Sequence, residues 1–125
     1  MRDCSDYKEI LFEINEDVAW ITINRPEVLN AFREQTLDEL IIAVRSTRED
    51  PSIVAAVITG AGDRAFSAGG DFHAMMKLNR ANTLHWNDRM LGLAMTIRGI
   101  PIPVIAMVHG HCMGGGHELA LWCDL

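Results

Sequence analysis

Twice in this chain an apolar, β-branched run flows straight into a glycine-rich loop. Residues 53–59 (IVAAVIT) lead into 60–70 (GAGDRAFSAGG), and residues 103–108 (PVIAMV) lead into 110–116 (GHCMGGG). Runs of this kind suit strands buried on both faces, as in parallel sheets covered by helices. Glycine beyond such a strand lets backbone approach a neighbour or a ligand with no Cβ in the way. The two loops are therefore expected side by side at the carboxyl ends of their strands, within an α/β fold.

The remaining segments fit that frame. Residues 10–14 and 18–23 read as two strands joined by the turn Asn15-Glu16-Asp17. Asn24-Arg25-Pro26 ends the second strand, since proline cannot continue a ladder. From 33 to 48, Leu37, Leu40, Ile41 and Val44 recur at helical spacing, and Asp50-Pro51 closes that helix. Residues 83–98 read as a second helix with Leu84, Leu91, Ala94 and Met95 among its apolar positions, stopped by Gly99 and Pro101. Trp86, Met90 and Met95 are expected on a helix face over the core, with some lining of a pocket. A last helix begins at Glu118 and is unfinished at Leu125, so Leu119, Leu121 and the 103–108 strand should expose apolar surface. The order is ββα, then strand, loop and helix twice over, and 125 residues make one domain at most.

Several function classes are excluded. A net charge of −6 opposes a nucleic-acid surface and makes any phosphate site a local one. The three cysteines, Cys4, Cys112 and Cys123, are odd in number and widely spaced, which suits a reducing compartment rather than a disulfide framework. The opening MRDCSDYKEI lacks the apolar core of a signal peptide and the Arg-rich character of a transit peptide. No apolar run approaches the length needed to cross a bilayer. The chain reads as a soluble cytoplasmic protein with neither nucleic acid nor membrane as partner.

Two motifs invite misreading. Residues 60–65 fit G-x-G-x-x-A after a strand, but a dinucleotide site needs a helix to start inside the motif and an acidic residue about 20 positions on. Here two more glycines follow at 69 and 70, and after Asp71 the next acid is Asp88. His109, His111, Cys112 and His117 are close in sequence, yet zinc needs three or four ligands in matching geometry. A strand end followed by a glycine turn is the simpler reading, and no metal is expected.

Taken together, the glycine loops suggest chemistry. Two backbone N–H groups converging on one point, from Gly69-Gly70 and from Gly114-Gly115-Gly116, would form an oxyanion hole, and a helix starting near Gly115 would add its positive end. Glu118 lies three residues after Gly115, on the same helix face, within reach of a water or an α-proton beside that hole. The blander alternatives are ordinary glycine turns and a first-turn glutamate that complements the helix dipole.

The residues then acquire a specific likeness. Asn24-Arg25-Pro26 through Leu29-Asn30-Ala31-Phe32, Ala65-Phe66-Ser67-Ala68-Gly69-Gly70-Asp71-Phe72, and residues 103–110 with Gly114-Gly115-Gly116-His117-Glu118-Leu119-Ala120 resemble three successive signatures of the crotonase (enoyl-CoA hydratase/isomerase) superfamily, in family order. The resemblance implies a crotonase-like spiral of ββα units. Family subunits are longer, so residues 1–125 would form a partial, truncated domain. The second hydratase glutamate would lie beyond it, with the helices that cover the acyl pocket and build a homotrimer or hexamer.

The resemblance also implies an acyl-CoA thioester as substrate, with coenzyme A entering as part of it and no separate cofactor. Position by position, Gly70 and Gly115 would supply the oxyanion-hole N–H groups and Glu118 would be the first catalytic glutamate. Ala68, Gly69, Gly70, Asp71 and Phe72 would line the acyl-CoA channel, with Arg25, Leu29 and Ala31 on its other wall. Arg25 would either offset phosphate charge or stand solvated in its loop, and Asp71 would cap a short helix. The implied chemistry is hydration of a 2-enoyl-CoA through a thioester enolate, expected to be impaired in the truncated domain for want of the second glutamate and the covering helices. Isomerisation, ring-opening hydrolysis and an inactive acyl-CoA-binding fragment remain as alternatives.

Overall fold

The structure, a computed structural model, describes residues 6–125 of the chain. Strands β1 (Ile10–Asn15) and β2 (Val18–Ile23) form an antiparallel hairpin with Asn15 opposite Val18. Its loop is two residues rather than three, because Glu16 and Asp17 both take positive φ, 49° and 62°. That geometry matches the right-handed twist of the flanking strands. Period-two alternation turns Ala19, Ile21 and Ile23 of β2 inward beside Ile10 and Phe12 of β1.

Helix α1 (Glu34–Glu49) returns over the sheet, with Leu37, Leu40, Ala43 and Val44 on its buried face. Strand β3 (Ala55–Gly60) then pairs parallel with β2, and β5 (Val104–Ala106) pairs parallel with β3, giving the order β1-β2-β3-β5. All of β3 from Ala56 to Gly60 is buried, as expected for a central parallel strand.

Both glycine loops contain a further short strand that the sequence conceals. These are β4 (Ala65–Ser67) and β6 (His111–Cys112), and they pair parallel to each other in a second sheet. Successive turns of the chain thus stack β5 on β3 and β6 on β4, which is the expected ββα spiral.

Between them lie the five-residue helix α2 (Phe72–Met76) and the long helix α3 (Thr83–Gly99). The inward face of α3 carries Trp86, Leu93 and Ile97, with Met90 packed partly against the core. Leu84, Leu91 and Met95 are 68%, 61% and 66% exposed and form the outer stripe, so of the three residues expected over the core Trp86 and Met90 take that face and Met95 does not.

Helix α4 runs from Gly115 to Trp122, starting earlier than expected and ending within the chain. Leu119 is fully buried in the common core, contrary to the expectation of exposed surface, whereas Leu121, Met107 and Val108 do face outward. Beyond α4 the backbone returns to the sheet. The Asp124 N–H donates to the Val104 carbonyl at 2.8 Å, and the Ala106 N–H donates to the Leu125 carbonyl at 2.9 Å. Cys112 and Cys123 are free thiols, and Cys4 lies outside the described residues. Burial, with Asp124 nearby, pushes the Cys123 thiol up to about 12, so it behaves as a small apolar side chain. No helix among the described residues is long and apolar enough to cross a membrane.

Strand β1 has an open edge, and the chain entering it is held by a side chain. The Glu39 carboxylate of α1 accepts from the N–H groups of Lys8 (2.8 Å), Glu9 (2.8 Å) and Ile10 (3.1 Å). Glu39→Ala would leave the buried Glu9 and Ile10 donors unpaired, at about 1–3 kcal/mol for such a group. The urea midpoint should fall accordingly, with an unchanged transition slope.

Candidate functional site

The site is built where residues 29–32 run beside 68–71. The Ala68 N–H donates to the Leu29 carbonyl (2.9 Å), the Phe32 N–H to Gly69 (2.7 Å), and the Asp71 N–H to Phe32 (2.7 Å). Leu29 and Asn30 both sit at φ 55°, a left-handed pair that bends the chain into this register. Asn30 makes the bend hold. Its buried side-chain amide donates to the carbonyls of Ala61 (2.9 Å) and Ala65 (2.8 Å), while its Oδ1 accepts from the Arg25 N–H (3.0 Å). The Ser67 hydroxyl donates to the Asn30 carbonyl (2.7 Å) and accepts from the Gly69 N–H (3.1 Å).

These bonds fix where the Gly70 N–H points. A peptide unit is planar and trans, so its C=O and N–H point in opposite directions. The Phe32 bond holds the Gly69 carbonyl, which shares its peptide unit with the Gly70 N–H, and so directs that N–H away from residue 32. Gly115 is fixed by the same logic. The Gly114 carbonyl accepts from the Glu118 N–H at 3.1 Å, which aims the Gly115 N–H out of the first turn of α4. Neither glycine N–H has an acceptor among the described residues.

The two turns touch backbone to backbone. Gly69 has φ +93°, and a Cβ there would lie 2.7 Å from the Gly115 nitrogen and 2.8 Å from the Met113 carbonyl oxygen. The Met113 N–H donates to the Ser67 carbonyl at 3.1 Å. Apolar groups surround both donors. A Cβ on Gly70 would meet Met75 Sδ at 3.0 Å and Trp86 Cζ2 at 3.4 Å, and one on Gly115 would meet Phe32 Cε2 at 2.9 Å and Met90 Cε at 3.3 Å. Fixed N–H donors amid apolar walls are suited to stabilise negative charge on an oxygen.

The other candidates fall as follows. Glu118 lies one turn after Gly115, exposed, and its carboxylate has no partner among the described residues. Asp71 caps α2, with Oδ1 accepting from the Ala74 N–H at 3.0 Å. Burial pushes its carboxyl up, but the Ala74 N–H, the Arg25 guanidinium and the His73 N–H outweigh that and hold it below the ordinary aspartate value. Arg25 is not a solvated loop arginine. Its side chain is 11% exposed, and Nη1 donates to the Ala31 carbonyl (2.7 Å) and to Asp71 Oδ2 (3.1 Å), with Glu9 3.8 Å from Nε.

Leu29 and Ala31 adjoin Ala68, Gly69 and Gly70 edge to edge, so the segments form one continuous wall and do not face each other across a gap. Phe72 is 74% exposed beside it. Asn30, Phe32 and Ser67 hold the geometry, although sequence reasoning singled out none of them. Asn30 carried a usable signal, being a residue type that tolerates left-handed φ.

The misleading motifs also resolve. The 60–65 loop leads into β4 and not into a helix, and a Cβ on Gly60 would lie 2.3 Å from the Phe66 carbonyl oxygen. His109 Nε2 lies 2.9 Å from the Gly62 carbonyl oxygen, and among the described residues no three His, Cys, Asp or Glu side chains come together as a metal would need.

Comparison with known proteins gives this geometry a setting. Residues 13–125 match the family model described as enoyl-CoA hydratase/isomerase. Among solved structures the chain is similar to an enoyl-CoA hydratase from Bacillus anthracis, with 29% identity, 94% of this chain and 46% of that one covered, and a TM-score of 0.90. It is similar to an enoyl-CoA hydratase/carnithine racemase from Magnetospirillum magneticum at 33% identity, covering 94% and 45%, with a TM-score of 0.90. An enoyl-CoA hydratase/isomerase from Xanthobacter autotrophicus Py2 matches at 36% identity, covering 95% and 45%, with a TM-score of 0.89. The chain spans about half the length of these structures.

Adjacent glycines should respond differently to alanine. Gly69→Ala combines positive φ with a backbone clash and should cost about 1–3 kcal/mol, read as a lowered Tm. Gly70→Ala has only the flexible end of Met75 to displace and should stay within about 0.5 kcal/mol of the parent. Asp71 gives a pH dependence of known sign. Its depressed folded pKa stabilises the fold fully above the ordinary aspartate value of 3.8, and that contribution is lost as pH falls through the folded value. Acid titration of Asp71→Asn should therefore show a shallower loss of stability below about pH 4 than the parent.

Proposed function

The chain belongs to the enoyl-CoA hydratase/isomerase family, and from that premise we propose that it binds an acyl-CoA thioester and adds water to a 2-enoyl-CoA. The observation carrying this reading is a pair of N–H groups with no acceptor among the described residues, each held in direction by a hydrogen bond to the carbonyl of its own peptide unit. The thioester oxygen sits between Gly70 and Gly115 and receives both. As hydroxide equivalent adds at the β-carbon, the π electrons move onto that oxygen and an enolate forms. Donors of this type matter most at that moment, each worth about 3–4 kcal/mol. The positive end of α4, at Gly115, favours the same charge.

Glu118 is the base. It takes a proton from water as the oxygen bonds to the β-carbon, then returns a proton to the α-carbon as the enolate collapses. One carboxylate thus balances the whole addition. The alternative acid close to the glycines, Asp71, is occupied by the Ala74 N–H and Arg25, whereas Glu118 has no such partner among the described residues.

A second reading rests on that same free carboxylate. Isomerisation of a 3-enoyl-CoA needs one base to carry a proton from the α-carbon to the γ-carbon, and the same two N–H groups would hold its dienolate. Product analysis separates the readings, since hydration gives a 3-hydroxyacyl-CoA and isomerisation only moves the double bond.

The test is crotonyl-CoA hydration, followed by loss of the enoyl-thioester absorbance and by α-proton exchange in heavy water. Glu118→Gln should lower the rate by about 10²–10⁴-fold, the usual contribution of a general base. An unchanged rate would remove Glu118 from the chemistry. Binding of crotonyl-CoA without turnover or exchange would identify an acyl-CoA-binding protein instead. Equal affinity for NAD would remove the thioester reading.

A further inference from the structure

We propose that Arg25 is a positioning residue that aims and polarises the Gly70 N–H through two intervening peptide units, an inference resting on the acyl-thioester reading above for its role in catalysis. The connection is continuous. Arg25 Nη1 donates to the Ala31 carbonyl at 2.7 Å. That carbonyl shares a planar unit with the Phe32 N–H, which donates to the Gly69 carbonyl at 2.7 Å. The Gly69 carbonyl shares its unit with the Gly70 N–H, which is the end of the chain and has no protein acceptor among the described residues.

Both links lie at the short end of the N–H···O range. Hydrogen bonds in series polarise one another, by about 10–30% per bond. A guanidinium stays protonated across the working pH range, so the chain carries a permanent positive charge at one end and a donor N–H at the other. Each peptide unit passes the polarisation on, making the next N–H a stronger donor.

The surroundings support the role. Arg25 is largely removed from water, with a side chain 11% exposed, so solvent screens its field little, while the carboxylates of Asp71 and Glu9 offset part of it. Asp71, on the same Nη1, and Glu9, near Nε, hold the guanidinium in place. Asp71 follows Gly70 directly, and its own N–H donates to the Phe32 carbonyl at 2.7 Å. The arginine and the glycine it acts on are thus fixed to the same two strands of chain. The Gly115 N–H has a different source of polarisation, the first turn of α4. The two donors are therefore separately tuned, one by a side-chain cation and one by a helix end.

The decisive measurement needs no ligand. In the full chain labelled with ¹⁵N-glycine, the amide proton of Gly70 reports the strength and direction of that donor. Arg25→Gln removes the charge and withdraws the donor from the Ala31 carbonyl, its side chain being two bonds too short to replace Nη1, and the Gly70 amide proton is expected to move upfield while Gly115 stays in place. Arg25→Lys keeps the charge without the planar fork and should move Gly70 part of the way. If Arg25→Gln does not fold, that partial shift decides the matter, and no shift in Arg25→Lys would overturn the proposal.

Arg33→Gln is the control. Arg33 pairs with the same Glu9 but touches neither peptide unit, so it should leave Gly70 where it is. An unmoved Gly70 in Arg25→Gln would overturn the proposal. So would an equal shift in Arg33→Gln, or a Gly115 resonance that moves as far as Gly70. The catalytic consequence is read from the infrared carbonyl stretch of bound crotonyl-CoA, whose down-shift should shrink in Arg25→Gln with kcat falling more than KM rises. Failure of the parent to bind crotonyl-CoA would sink the proposed function, and the amide resonances would still decide the role of Arg25.

Discussion

Backbone contact between the 67–70 and 113–116 turns is the constraint on which the rest of the structure depends. A Cβ on Gly116 would lie 2.2 Å from the Ser67 carbonyl oxygen, and one on Gly69 would lie 2.7 Å from the Gly115 nitrogen. Packing this close is open only to glycine, and it draws β4 and β6 into a ladder of their own. It also sets where α4 begins, one residue after Gly114, and so brings Leu119 into the core. The two N–H groups without an acceptor among the described residues arise beside that contact, because the Gly69 carbonyl is spent on Phe32 and the Gly114 carbonyl on Glu118.

Charge is distributed in a way that net charge conceals. The chain carries −6, yet its interior polar chemistry is balanced locally. Glu9 is held by Arg33 and by the Thr36 hydroxyl, with Arg25 at 3.8 Å. The Glu39 carboxylate is solvated by backbone N–H groups and by the Gln35 amide in place of water. Breaking one partner of such a buried set costs more than the set contributes as a whole. The value of this cluster therefore lies in orientation, because it ties the start of β1, the first turn of α1, the loop after β2 and Asp71 to one another.

How much of this was legible depends on the length scale at which each element declares itself. The hairpin and α1 carry clear periodicity, β3 carries a continuous apolar run, and all stand within two residues of where the sequence puts them. The inward face of helix α3 is not so legible. Leu84, Leu91 and Met95 have the same spacing as Trp86, Leu93 and Ile97, so periodicity offers two equivalent stripes, and packing against α1 selects the second. Strands β4 and β6 are three and two residues long, set in glycine-rich loops, and they pair with each other. The two glycine turns and the glutamate one turn later are visible in the sequence as a pattern, and the structure brings the two turns into contact. The supporting residues are not visible there, because the roles of Arg25, Asn30 and Ser67 arise from segments more than thirty residues apart.

The stacking of β5 on β3 and of β6 on β4 has a consequence for how the molecule resists unfolding. Each turn of the spiral rests chiefly on the turn before it, as repeats do in a solenoid. Cohesion in such an array is a sum over neighbouring rungs, and structure can spread from a well-formed rung to the next. The hairpin with α1 is the rung with its own antiparallel pairing, its own helix and its own polar clasp at Glu39. Order is then inherited rung by rung toward Asp124 and Leu125, whose pairing with β5 extends the same register by one more step. The site lies at the seam between two rungs, so its geometry reports on how well one has settled against the other.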